Sequence, residues 1–310
     1  MLKESLVKII GSKAMRDFVT SSKMAKPIVD RFVAGVDIES GIRVVHTLNK
    51  SGKRATLDYL GEGVSDEAST KIPVGVYLEL LEAINEAGLD ANISLKLTQL
   101  GLAINNEGHV INQDLAKRNL RKIVERASKF DNFVRIDMEC SDYTKATLAV
   151  FYDTAISHSN VGVVVQAYLK KSGEYVDNLI KHGVRVRLCK GAYLEPPSVA
   201  FTKKTEVDQN YKYLMERLLN MGNFPAIATH DVKLIDYAKN FAENRKIKPN
   251  RFEFQMLYGI KRSLQDGLVS DGYGVRVYVP FGGEWYPYLT RRLAERPENL
   301  LFFLTNLFKK

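Results

Sequence analysis

The chain has 310 residues, 45% of them apolar and 26% charged, and 45 lysines and arginines against 36 acids leave it a formal charge of +9. That mix excludes a disordered chain, and no run of about 18 apolar residues marks a membrane-spanning helix. The basic residues are dispersed among acids, with no run of five like charges and no basic stretch interleaved with aromatics, so they read as a solvated surface and argue against nucleic acid as a partner.

The N-terminal stretch MLKESLVKIIGSKAMRDF is amphipathic and broken by charges, without the apolar core of a signal peptide. Residues 1–45 read as a helical arm, with apolar stripes at Ile9-Ile10 and Ile28-Val29-Phe32-Val33 interrupted near Gly11 and Gly35. From about residue 54 short β-branched runs recur, each followed by a charged amphipathic stretch. The runs are RATLDYL (54–60), NISLKLT (92–98), FVRIDME (133–139), VGVVVQA (161–167), VRVRLC (184–189), PAIATH (225–230), FEFQML (252–257) and VRVYVP (275–280). Strand–helix alternation specifies βαβ units and a parallel sheet, and eight of them fit a (β/α)8 TIM-like barrel over residues 46–310. A doubly wound sheet is the rival architecture.

Parallel strands covered on both faces should be apolar throughout. These are not: Lys96, Asp137, Gln166, Arg187, Gln255 and Tyr278 recur on alternate positions. In a barrel the apolar face meets the helices, so the polar face must look into the lumen, at the C-terminal end where this fold builds its sites. Buried unpaired charge is costly, so these groups should pair with one another or with a ligand. After the last strand, Tyr288, Arg291, Arg292 and Glu295 fall on one face of a helix stopped before Pro297. Paired guanidiniums suit a carboxylate or phosphate, which the Arg fork binds bidentately.

Other chemistries leave no signature. There is no GxGxxG after a strand, no GxxxxGK[ST] and no GxSxG elbow. Cys140 and Cys189 have neither CxxC nor metal-ligand spacing and read as small buried hydrophobes of a reducing compartment, and His230 ends a strand alone, which argues against a metal. The residues by themselves define a barrel enzyme with an electropositive mouth and an anionic ligand, and no reaction.

The motifs SLKLTQLGL (94–102), RIDMEC (135–140), VVQAYLKK (164–171), RLCKGAY (187–193), ATHD (228–231), FEFQMLYG (252–259), RVYVPFG (276–282) and YLTRRLAERPEN (288–299), in this order, resemble the proline dehydrogenase family, in particular its short monofunctional members. The resemblance implies FAD-dependent oxidation of L-proline to Δ1-pyrroline-5-carboxylate by hydride transfer to the flavin N5. It assigns catalytic roles to Asp137 and Arg187. Arg291 and Arg292, with Lys96 beside them, would bind the substrate carboxylate, and Asp137 would pair with these cations. Tyr278, Tyr288 and Leu257 would pack the pyrrolidine ring, and Glu295 would join the helix-face network. Gln166 and Arg187 would lie against the isoalloxazine and Met138 would touch it. Lys190, Gly191 and Ala192 would meet the flavin or its pyrophosphate, and Thr202, Lys203, Lys204, Thr229 and His230 would serve its ribityl and adenosine parts. The charge at the mouth would be opposed chiefly by Asp137 and Glu295.

The resemblance further implies a quinone as electron acceptor and a separate pyrroline-5-carboxylate dehydrogenase downstream. It implies a cytoplasmic enzyme in transient peripheral contact with the membrane's inner face, through the apolar residues 300–308 if these do not pack on the barrel. Two other classes stand beside it: a methylenetetrahydrofolate reductase-like flavin barrel, and a basic RNA-binding protein.

Overall fold

The computed structural model describes residues 26–295 except 62 and 65, so most of the expected arm and the apolar stretch 300–308 lie outside the described residues. In chain order the elements are α1 (Lys26–Phe32), α2 (Ile38–Lys50), β1 (Arg54–Tyr59), α3 (Glu67–Glu86), β2 (Ala91–Leu95), β3 (Ala103–Ile104), β4 (Val110–Ile111), α4 (Gln113–Lys129), β5 (Val134–Ile136), α5 (Ser141–Ala155), β6 (Val161–Gln166), α6 (Ser172–Lys181), β7 (Val186–Cys189), α7 (Lys204–Met221), β8 (Ala226–Ala228), α8 (Val232–Asn244), β9 (Glu253–Leu257), α9 (Arg262–Ser270), β10 (Gly274–Phe281) and α10 (Trp285–Glu295). The eight runs picked out above are the eight parallel strands of a closed barrel, ordered β1-β10-β9-β8-β7-β6-β5-β2.

The two strand faces do different work. Leu57, Ile93, Ile136, Val163, Val186, Ile227, Phe254 and Val277 point outward and are fully buried under the helices, each stabilising the barrel by about 1.5–3 kcal/mol. The inward positions between them are mostly polar, with Val164 and Ala228 among the exceptions. Helix starts are set by short acids: Asp37 accepts from the Ser40 amide at 2.8 Å and Asp66 from the Ser69 amide at 2.8 Å, satisfying amides that a first helical turn leaves open.

Helix α2 packs on β1 and β10, the seam that a last helix would cover in a regular barrel. Helices α3 to α9 complete the ring. Helix α10 is therefore surplus to it and reaches the mouth instead, where Tyr288 joins the wall of the central cavity. Residue 45 falls within α2, so the helix that seals this seam runs across that position. The antiparallel hairpin of β3 and β4 was not expected from the sequence. Its turn is built by Asn105, whose side chain accepts from the amides of Glu107 and His109, and by Gly108 at φ 80°.

Candidate active site

A cavity of about 710 Å³ opens at the C-terminal ends of the strands, within the range of small-molecule and cofactor sites. Of the residues singled out in the sequence, Lys96, Asp137, Met138, Gln166, Arg187, Lys190, Gly191, Ala192, Lys204, Thr229, His230, Leu257, Tyr278 and Tyr288 line it. Thr202 and Lys203 do not: both are exposed just before helix α7, outside the wall. Arg291, Arg292 and Glu295 belong to helix α10, but their side chains lie outside the described part of the structure.

Asp137 is the centre of the polar lumen. Its Oδ1 accepts from Arg187 Nη1 at 2.6 Å and Ser94 Oγ at 2.7 Å, and its Oδ2 accepts from the Tyr278 hydroxyl at 2.7 Å. Burial pushes the Tyr278 hydroxyl well above its ordinary range, and Asp137 and Asp58 add to the effect, so this phenol is a donor at any working pH. Arg187 also donates through Nε to Gln255 Oε1 at 2.5 Å and stacks over the Tyr278 ring at 5.2 Å. With its other donors engaged, Arg187 Nη2 is buried without a partner, as is Gln166 Oε1. Both residues line the cavity. His230 Nε2 accepts from the Leu257 amide at 2.9 Å, which fixes that nitrogen as an acceptor.

The expected pairing of Asp137 with Lys96 needs correction. The carboxylate beside Lys96 is Asp58, at 3.4 Å, and Asp137 instead bonds Arg187 across the lumen. Strand β2 lies between β1 and β5, so both acids flank Lys96. Asp137, one residue past β5, turns to Arg187 and leaves Asp58 of β1 beside the lysine. Asp58 lines the cavity and is 1% exposed. Burial raises its pKa to about 6, against the pull of Lys96. A raised folded-state pKa favours the fold below the unfolded value, and that contribution is lost as pH rises from about 4 to about 6. Lys96→Met removes the cation that offsets burial of the Asp58 charge. Its melting temperature should fall further below wild type at pH 8 than at pH 5, and Asp58→Asn added to it should recover the loss at pH 8. Equal deficits at both pH values would contradict the assignment.

Toward the rim, Lys190 donates to Asp208 at 2.5 Å and to Asp231 at 3.0 Å, and Lys204 bonds Asp208 and lies 3.7 Å from Asp231. The mouth is thus less bare of acids than the sequence suggested. Asp58, Asp208 and Asp231 all oppose its cations, because the fold brings a residue of α7 and the cap of α8 to one rim. Gly191 sits at φ 114°, and a Cβ there would meet the Tyr168 ring at 2.4 Å, so the main chain approaches the cavity where no side chain could stand. Cys189 is on the wall and Cys140 precedes helix α5. Both are half-buried, not fully buried as small core hydrophobes. Burial, with Asp142 next, pushes the Cys140 thiol up, which disfavours the reactive thiolate.

A closed parallel barrel whose enclosed, charged cavity sits at the C-terminal mouth has the architecture of a (β/α)8 enzyme. The family model described as proline dehydrogenase matches residues 42–303. Proline dehydrogenase 2 of Bacillus subtilis strain 168 is 39% identical over 280 residues, 90% of each chain. The proline dehydrogenase of Deinococcus radiodurans is 39% identical over 284 residues, 91% of this chain and 90% of its own. Among solved structures, proline utilization A from Bdellovibrio bacteriovorus, inactivated by N-propargylglycine, superposes with a TM-score of 0.79 at 27% identity, over 87% of this chain and 33% of that one. This chain therefore spans about a third of that larger protein. The chain belongs to the proline dehydrogenase family.

Proposed function

We infer that this chain oxidises L-proline to Δ1-pyrroline-5-carboxylate with FAD held in the central cavity. The observation that carries the cofactor is the pair of orphaned buried atoms, Gln166 Oε1 and Arg187 Nη2. An acceptor and a donor buried without partners are costly unless a ligand completes them. The flavin ring offers both N–H donors and carbonyl acceptors, so it fits this pair, and the open backbone at Gly191 with Lys190 and Lys204 beside it suits a diphosphate. When bound, FAD supplies the two-electron acceptor, and the protein supplies orientation and field.

The remaining wall is chemically suited to an amino acid. Lys96 offers a cation to a carboxylate, with Asp58 behind it to hold the charge in a dry site. Leu257, Tyr278 and Tyr288 form the apolar sides for a small saturated ring. The substrate amine must be unprotonated to release hydride, so activity should rise above neutral pH. Arg291 and Arg292 complete the carboxylate clamp in this proposal, and Glu295 completes their face of α10. Replacing either arginine by methionine should raise the proline KM by at least about tenfold with flavin content near normal. Loss of flavin with an unchanged KM would show that the pair has been misassigned.

Electrons leave to a quinone and the product passes to a separate dehydrogenase. A cytoplasmic enzyme that touches the membrane transiently suits that acceptor, and no helix among the described residues is long and apolar enough to cross a membrane. The deciding experiment is direct. Purified protein should be yellow and should bleach on anaerobic addition of proline. Colourless protein that cannot be reconstituted with FAD, or flavin reduced by NADH and not by proline, sinks the proposal.

A further inference from the structure

The lumen below the cavity holds a second ionic group that the chemistry above does not use. Glu253, 2% exposed, accepts from Arg276 Nε at 2.9 Å, and Gln255 Nε2 donates to the same carboxylate at 2.6 Å. Gln255 Oε1 in turn accepts from Arg187 Nε at 2.5 Å. Glu253 and Gln255 are two residues apart on β9, so both face the lumen, and one amide spans the gap between the barrel floor and Arg187.

The geometry points to Glu253 as a positioning residue: through the Gln255 amide it sets the direction of the Arg187 fork at the cavity wall. A carboxylate accepts only, so it must face the amide NH2. The amide oxygen is then turned upward, where it can accept from Arg187 Nε. The reversed amide would set its NH2 against the Arg187 donor and its oxygen against the carboxylate, two repulsions in a dry lumen where they are least screened. Burial raises the Glu253 pKa, but Arg276, the Gln255 bond and Arg135 outweigh it and hold the carboxyl below its ordinary range. The acceptor therefore stays ionised across the working pH range. With Nε held by Gln255 and Nη1 by Asp137 and Ser94, the plane of the guanidinium is fixed from two sides.

This inference rests on the proposed flavin chemistry, and three variants of the full chain separate the two. Gln255→Leu cuts the link without changing charge and leaves the Glu253–Arg276 pair intact. It should lower kcat by about tenfold with the proline KM within about twofold, and displace the flavin midpoint potential to more negative values. Glu253→Gln makes both amide orientations comparable and should lower kcat by a smaller factor. The exchange variant Glu253→Gln/Gln255→Glu restores a donor below and an acceptor above, so kcat should return toward wild type.

A Gln255→Leu protein with lowered melting temperature but unchanged kcat and potential overturns the inference. So does an exchange variant as slow as Glu253→Gln. Should Glu253→Gln fail to fold, Gln255→Leu and its potential still decide the matter. Wild-type protein that does not bleach with proline defeats the flavin proposal instead, whatever the variants do.

Discussion

Asp137→Ala is expected to lower kcat for proline oxidation by about 10²-fold or more, the scale seen when an oriented electrostatic group is removed from a dry site. The carboxylate is the common acceptor of Arg187, Ser94 and Tyr278, at 2.6, 2.7 and 2.7 Å. Its loss frees three side chains on three different strands at once. The Arg187 charge, 7% exposed, would be left without its anion, and breaking a buried pair from one side costs about 3–5 kcal/mol. Stability and activity should therefore fall together. Measuring kcat well below the lowered melting temperature separates them: a folded variant with near-normal kcat would remove Asp137 from the catalytic assignment. Asp137→Asn should be milder, since one carbonyl oxygen remains to accept from Arg187 or Tyr278.

A large effect on stability alone should come from Gly162→Ala. Gly162 sits on β6 at the barrel floor, and a Cβ there would lie 2.4 Å from the Arg185 carbonyl oxygen, 2.7 Å from the Phe133 ring and 2.8 Å from Arg135 Nη1. None of these can yield cheaply. Arg135 is 2% exposed, donates to the carbonyls of Val163 and Arg185, and stacks with Arg185 on Phe133. The methyl group should cost about 3 kcal/mol by overpacking, which for a domain of this size lowers the melting temperature by about 6–12 °C. Gly75→Ala is the contrast. It lies inside helix α3 with nothing within 4 Å of its would-be Cβ, so it should gain about 0.5–1 kcal/mol. Two Gly→Ala changes with opposite signs, read in thermal melts, test whether space or backbone entropy governs each position.

The eight strands were legible because each is a short apolar run followed by a helix-period stretch, and parallel strands cannot be joined otherwise. Their polar faces were legible too, since Lys96, Asp137, Gln166, Arg187, Gln255 and Tyr278 break an apolar pattern that a covered strand should keep. Asp58 escaped notice although it sits on β1 in the same alternation, because one acid in RATLDYL looks like a strand's polar edge. Asp208 was invisible for a different reason: it is one acid on an amphipathic helix, and only packing of α7 against the rim brings it to Lys190.

From the sequence alone came the barrel, the mouth at which its charges gather, and the family whose motifs it carries. These are properties of period and order along the chain. Who pairs with whom was decided only by the tertiary structure. Each lumen-facing charge has candidate partners on several strands, adjacent ones for Asp58 and Glu253 and one beyond β6 for Asp137. Which of them it meets depends on how the side chains turn inside the closed barrel, which residue spacing does not encode. Hence the +9 chain that suggested an open basic pocket is in fact a set of matched pairs, Asp58 with Lys96, Asp137 with Arg187, and Glu253 with Arg276. Those pairings leave Arg187 Nη2 buried without a partner, on a residue that lines the cavity.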